Sequence, residues 1–131
     1  MADAVHPPGW PSPRGYAHGM LASGKLLAVA GQIGADQHGR LVSDEFPDQF
    51  AAALANVLAV VTAAGGTAHD IVSMTVFVVD KQHYLDSRPA LAQRWQKHLG
   101  RHYPAMTLVE VKGLVDAGAQ VEIQALAVLA S

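Results

Sequence analysis

The chain has 131 residues, half of them apolar and 15% charged, which suits one domain with one hydrophobic core and lies far from the composition of disordered segments. A formal charge of −2, with Lys and Arg scattered, gives no basic stripe to displace counterions from phosphates, so nucleic acid is not expected as a partner. The absence of cysteine removes disulfides, thiolate nucleophiles and Cys-type zinc sites, and fits a cytoplasmic setting.

The first ten residues, MADAVHPPGW, carry neither a basic n-region nor an apolar h-region and do not read as a secretory signal. Residues 6 to 15, HPPGWPSPRG, hold four prolines and two glycines, so residues 1 to 15 are expected to form an irregular Pro-rich arm. YAHGMLA and KLLAVAGQI, separated by Ser23 and Gly24, read as the two strands of a hairpin. From Phe46 the period changes: Phe46, Phe50, Leu54, Val57 and Val61 recur at three- and four-residue steps and predict a helix. Asp44 is placed to cap its first turn, Pro47 is tolerated there, and Gly65 and Gly66 stop it. The apolar run AAALANVLAVVTAA falls short of the roughly 18–20 residues of a spanning helix and contains Asn56 and Thr62, so no membrane partner is expected.

IVSMTVFVVD, rich in β-branched residues, predicts a central strand. A second helix is expected over residues 88 to 99, with Ser87 or Asp86 as cap, Pro89 in the first turn, Leu91, Trp95 and Leu99 on one face, and Gly100 at the end. AMTLVEV and QVEIQALAVL predict two final strands. The resulting order, β-β-α-β-α-β-β, implies one α+β domain over residues 1–131 with two helices on one face of a mixed sheet. The central strand is apolar on both sides, and Leu126 and Val128 alternate with Ile123, Ala125 and Ala127. The second sheet face therefore needs a cover, and oligomerisation is the economical one.

Several motifs fail on chemistry. GMLASGK has phosphate-loop spacing, but Leu26 stands where Ser or Thr must ligate magnesium, and a strand follows in place of a helix. The glycines of GQIGADQHG do not form a dinucleotide fingerprint. His98 and His102 are four residues apart, but Gly100 between them breaks the helix that would align them; no metal centre is expected. No G-x-S-x-G elbow is present.

PRGYAHG, VAGQIG, ALANVLAVVTAAGG, DIVSMTVFVVD, YPAMTLVEV and VEIQALAV, in this order over nearly the whole chain, together resemble the Rid family, the reactive intermediate deaminases also called YjgF-like proteins. The resemblance implies a chorismate-mutase-like α+β fold and a homotrimer that binds small molecules in clefts between subunits. It also implies hydrolysis of enamines and imines to carbonyl compounds and ammonia, without metal or organic cofactor. An imine carbon is already electrophilic, so the protein need only orient substrate and water and supply a carboxylate to shuttle a proton. The family's glutamate on the last strand corresponds to Glu122, its cleft tyrosine to Tyr16, and the glycine whose backbone lies close to ligand to Gly31.

The chain departs from the family at the anchor. Active deaminases read Pro-Ala-Arg, and that arginine grips the substrate carboxylate with two parallel bonds; here the triplet ends in Met106. A hydrogen bond to a charged group contributes on the order of 1.5–3 kcal/mol, so affinity for a 2-imino acid is expected to fall at least roughly 10- to 100-fold. Ala30 stands where many members have Ser, Leu108 replaces a frequent Cys, and Arg88 falls near a common Asn. These changes imply a larger or more apolar ligand than amino-acid-derived imines, lined by Met106, Leu108 and Tyr16, with Arg88, Arg14 or Arg101 as candidate replacements for the lost cation. A non-catalytic trimer that binds a metabolite and regulates a partner enzyme is the alternative. The ribonuclease or translation-inhibitor role of some relatives conflicts with the acidic balance.

Overall fold

The computed structural model describes residues 2–131; Met1, the first residue of the predicted arm, lies outside them. Four strands form the main sheet: β3 (Lys25–Ile33), β4 (Ile71–Val78), β5 (Ala105–Glu110) and β6 (Val121–Leu129). Their order is β3-β6-β4-β5. β6 runs antiparallel to both neighbours, whereas β4 and β5 are parallel, so the sheet is mixed as expected. The parallel pair requires a crossover, which α2 (Lys81–Asp86) and α3 (Arg88–Leu99) supply.

One face of this sheet carries α1 (Phe46–Ala63) and α3. The periodic residues Phe46, Phe50, Leu54, Val57 and Val61 of α1 and Leu91, Trp95 and Leu99 of α3 are buried against Met74, Val76, Ile123 and Ala125. Each large side chain so enclosed contributes about 1.5–3 kcal/mol, so this layer is the main source of stability. With 18 residues and a mean hydropathy of 1.3, α1 is long and apolar enough to cross a membrane by composition alone; its apolar stripe is spent on the sheet.

Three expectations need correction. The predicted hairpin does not form: β2 (Gly19–Leu21) pairs with β1 (Asp3–Val5), so part of the arm is a strand, while β3 pairs with β6 on the far edge. Ala17 bridges Ala105 beside β5, and Gly24, with φ of 144° and no room for a Cβ against the Leu129 carbonyl, turns the chain onto β6 and not back onto β2. Asp44 does not cap α1: the N-cap is Glu45, and Ser43 Oγ accepts from the Glu45 amide at 2.9 Å while donating to Asp48 at 2.9 Å. Ser87 occupies the N-cap of α3 without a side-chain bond, because it is already helical at the end of α2; α2 itself, capped by Asp80 through the Gln82 and His83 amides, was not expected.

Candidate functional site

Alternation along β6 divides its residues between two sides. Val121, Ile123, Ala125 and Ala127 are buried under the helices, and Glu122, Gln124, Leu126 and Val128 point to the other face. Glu122 pairs with Phe77 of β4 and with Ile33 of β3. Three acidic residues are half-buried. Asp48 accepts from Ser43 and Arg94, and Asp70 from the Thr67 amide. Glu122 alone of the three has no hydrogen bond or ion pair among the described residues. A partly desolvated carboxylate without a partner is costly to keep, which makes it a candidate for chemistry.

Two features position that carboxyl. Gly31 lies directly against it: a Cβ there would collide with the carboxylate, at 2.8 Å from its Cδ and 3.0 Å from its Cγ. Upstream, the wholly buried Gln49 donates from Nε2 to the carbonyls of Ser43 (2.9 Å) and Gly118 (3.1 Å) and accepts from the Gln120 amide (2.9 Å). One side chain on α1 therefore fixes the loop that enters β6 two residues before Glu122. Asn56 ties α1 to the end of β3 in the same way, through the carbonyls of Ile33 and Ala35.

Met106, Leu108, Arg88 and Tyr16 lie elsewhere. The parallel register sets Met106 beside Met74 and Leu108 beside Val76, both on the helix side of the sheet. There they line a cavity of about 200 Å³ with Tyr84, Arg88, Leu91 and Tyr103. Arg88 is exposed and its Nε donates to the Leu85 carbonyl at 3.2 Å. Tyr16 belongs to a second, larger cavity; the ring of Tyr103, stacked on Trp95 at 5.8 Å, lines both. Ala30 and Gly31 are exposed at a bulge of β3, on the side of Glu122. Within one chain, then, Arg88, Met106 and Leu108 come together, as do Ala30, Gly31 and Glu122, and the sheet separates the two groups. No group of three His, Asp or Glu able to hold a metal ion occurs among the described residues.

Sequence reasoning passed over Gln49, Tyr84 and Tyr103. Gln49 had a signal: it interrupts the apolar stripe three residues after Phe46, where a polar residue survives only if fully bonded. Tyr84 had none, since the six residues of α2 are too few to show a period.

The domain therefore carries a carboxylate without a partner among the described residues on one sheet face and an aromatic-lined cavity on the other. Residues 11–129 match the family described as endoribonuclease L-PSP. The 2-iminobutanoate/2-iminopropanoate deaminase of Salmonella typhimurium is 33% identical over 105 residues, 80% of each chain. Among solved structures, the Rid-family protein YyfB of Yersinia pestis superimposes with a TM-score of 0.86 at 28% identity over 98% of each chain. TdcF of Escherichia coli, crystallised with bound serine, gives 0.71 at 32% identity over 94% of this chain and 93% of its own. The chain belongs to the Rid (YjgF-like) family.

Proposed function

We propose that this protein hydrolyses enamines or imines to carbonyl compounds and ammonia, acting as a homotrimer on substrates larger or more apolar than simple 2-imino acids. The observation that carries the reading is Glu122, half-buried, without a partner among the described residues and resting where only a glycine leaves it room. Glu122 takes a proton from water as the water oxygen bonds to the imine carbon. It returns that proton to nitrogen to give a carbinolamine, then takes the hydroxyl proton as the C=O bond forms and passes it to the same nitrogen, so that the C–N bond breaks and ammonia leaves with the carbonyl product. An enamine first gains a proton at carbon and enters the same path as an iminium.

The two groups of residues meet only if one copy's Glu122 face closes over another copy's Met106 pocket. Two facts support such an assembly. The cavity of about 200 Å³ is below the roughly 300–1,000 Å³ of small-molecule sites, as expected of a site completed by a second copy. The sheet face that bears Glu122 also exposes Leu26 (68%) and Leu126 (41%), with no layer of the described residues over them. Opposite Glu122, Met106 and the aromatic rings accept an apolar body, and Arg88 supplies the cation for any acidic group. Met106 also favours a second reading, in which the cleft binds a metabolite without turnover.

The test is ammonia release from a panel of enamines generated in situ, carboxylated and uncharged. Turnover of the bulkier members, abolished in Glu122→Gln, supports hydrolysis; ligand-induced stabilisation with no product from any of them supports the binding role instead.

A further inference from the structure

The larger cavity holds about 580 Å³, within the range of small-molecule sites, and the reaction proposed above does not use it. It lies near the start of β4, where His102 bonds the Ile71 carbonyl, whereas Glu122 pairs with Phe77 six residues on, roughly 20 Å along the strand. We propose that this cavity is a second binding site, taking a small monoanion with an aromatic or apolar body, an aromatic carboxylate being the simplest example.

The walls are built from opposite ends of the sequence. One is the β1–β2 ribbon, where Ala4 and its register partner Met20 both line the cavity. The other is the loop after α3, which is firmly held. Gly100 turns at φ 60°, the His102 amide donates to the Leu99 carbonyl (3.1 Å), Trp95 Nε1 donates to the His102 carbonyl (3.1 Å), and His102 Nε2 donates to the Ile71 carbonyl (2.7 Å). These bonds fix the backbone on both sides of Arg101. Tyr16 is fixed too, because the Ala17 amide donates to the Pro104 carbonyl at 3.0 Å and the ring meets His18 edge-on at 5.4 Å.

Charge decides the ligand class. Arg101 is a permanent cation without an ion pair among the described residues; His6, His69 and Tyr16 add N–H and O–H donors, and no lining residue is acidic. One guanidinium matches one negative charge. The remaining lining is largely small and apolar, so inorganic phosphate would leave the cavity unfilled, while a ring would cover Ala4, Ala17 and Met20. With no carboxylate among the lining residues there is no counterpart of Glu122, and the site binds without turning over.

The probes are phenylacetate, its neutral isostere phenylacetamide and inorganic phosphate, titrated into the full chain by calorimetry and ligand-observed NMR. A ligand this small is expected to bind with a millimolar Kd. Phenylacetate should saturate at one per chain, and phenylacetamide should bind at least about 10-fold more weakly. Phosphate should fail to displace phenylacetate at equal concentration. Arg101→Gln should weaken phenylacetate about 10-fold or more, and Ala4→Phe, which fills the cavity from the other wall, should abolish binding; Glu122→Gln and Arg88→Gln should bind like the parent, which separates this site from the reaction cleft. Absence of saturable binding, equal affinity for acid and amide, displacement by phosphate, or loss of binding in Glu122→Gln with retention in Arg101→Gln overturns the proposal.

Discussion

Replacing Gln49 with Ala is expected to cost about 2–4 kcal/mol of unfolding free energy. The side chain is fully enclosed and all its bonding partners are backbone groups: the carbonyls of Ser43 and Gly118 and the amide of Gln120. An unpaired buried polar group costs about 1–3 kcal/mol, but Gly118 is exposed and Ser43 and Gln120 are half-buried, so water recovers part of the loss and three full penalties do not accumulate. Urea denaturation followed by tryptophan fluorescence measures the change, and an unaltered m-value confirms that it reflects stability alone. Gln49→Leu, which restores volume without bonds, should recover less than half. A loss below about 0.5 kcal/mol for the Ala variant would refute the claim that this side chain holds the loop leading to Glu122.

Gly31→Ala forces the Glu122 carboxyl aside. Because the colliding atoms end a flexible side chain, stability should change by under about 1 kcal/mol, while ammonia release falls about 100-fold from misplacement of the carboxylate. Leu126→Arg places a charge on the exposed sheet face and should yield a folded monomer by light scattering, with turnover lost. The hydrogen bond from Ser43, with the Arg94 guanidinium 3.1 Å away, holds the Asp48 carboxyl below its ordinary value of 3.8. Its contribution to stability is therefore complete above pH 3.8 and is lost as pH falls through the lower folded value, so Asp48→Asn should flatten the acid limb of a stability profile. Burial, reinforced by Lys97, pushes His98 below 6.5; its contribution is present above pH 6.5 and lost below it, and His98→Gln should remove that step.

The helices were legible because a 3.6-residue stripe is a local signal: Phe46 to Val61 and Leu91 to Leu99 are buried as the spacing implies. Strand pairing is not local. YAHGMLA and KLLAVAGQI have the look of a hairpin, yet the partner of β2 is Asp3–Val5, within the segment that composition marked as irregular. The six residues of α2 are too few to show a period. At the site, the resemblance directed attention to Glu122, and alternation in VEIQALAV implied which neighbours share its face. That Met106 and Leu108 lie on the opposite face could not be read from the chain, because it depends on how β5 registers against β4 and β4 against β6.

The account rests on a cleft shared by two copies, Glu122 from one and the Met106 half-pocket from the other. Mixing a Glu122→Gln variant with a Leu108→Arg variant tests this most directly, since each damages a different face. Each alone should release no ammonia, and co-assembled mixed trimers should regain roughly a quarter of the parent activity, the fraction of clefts that receive both intact faces. Mixed trimers that form but stay inactive, or activity surviving in either variant alone, would contradict it.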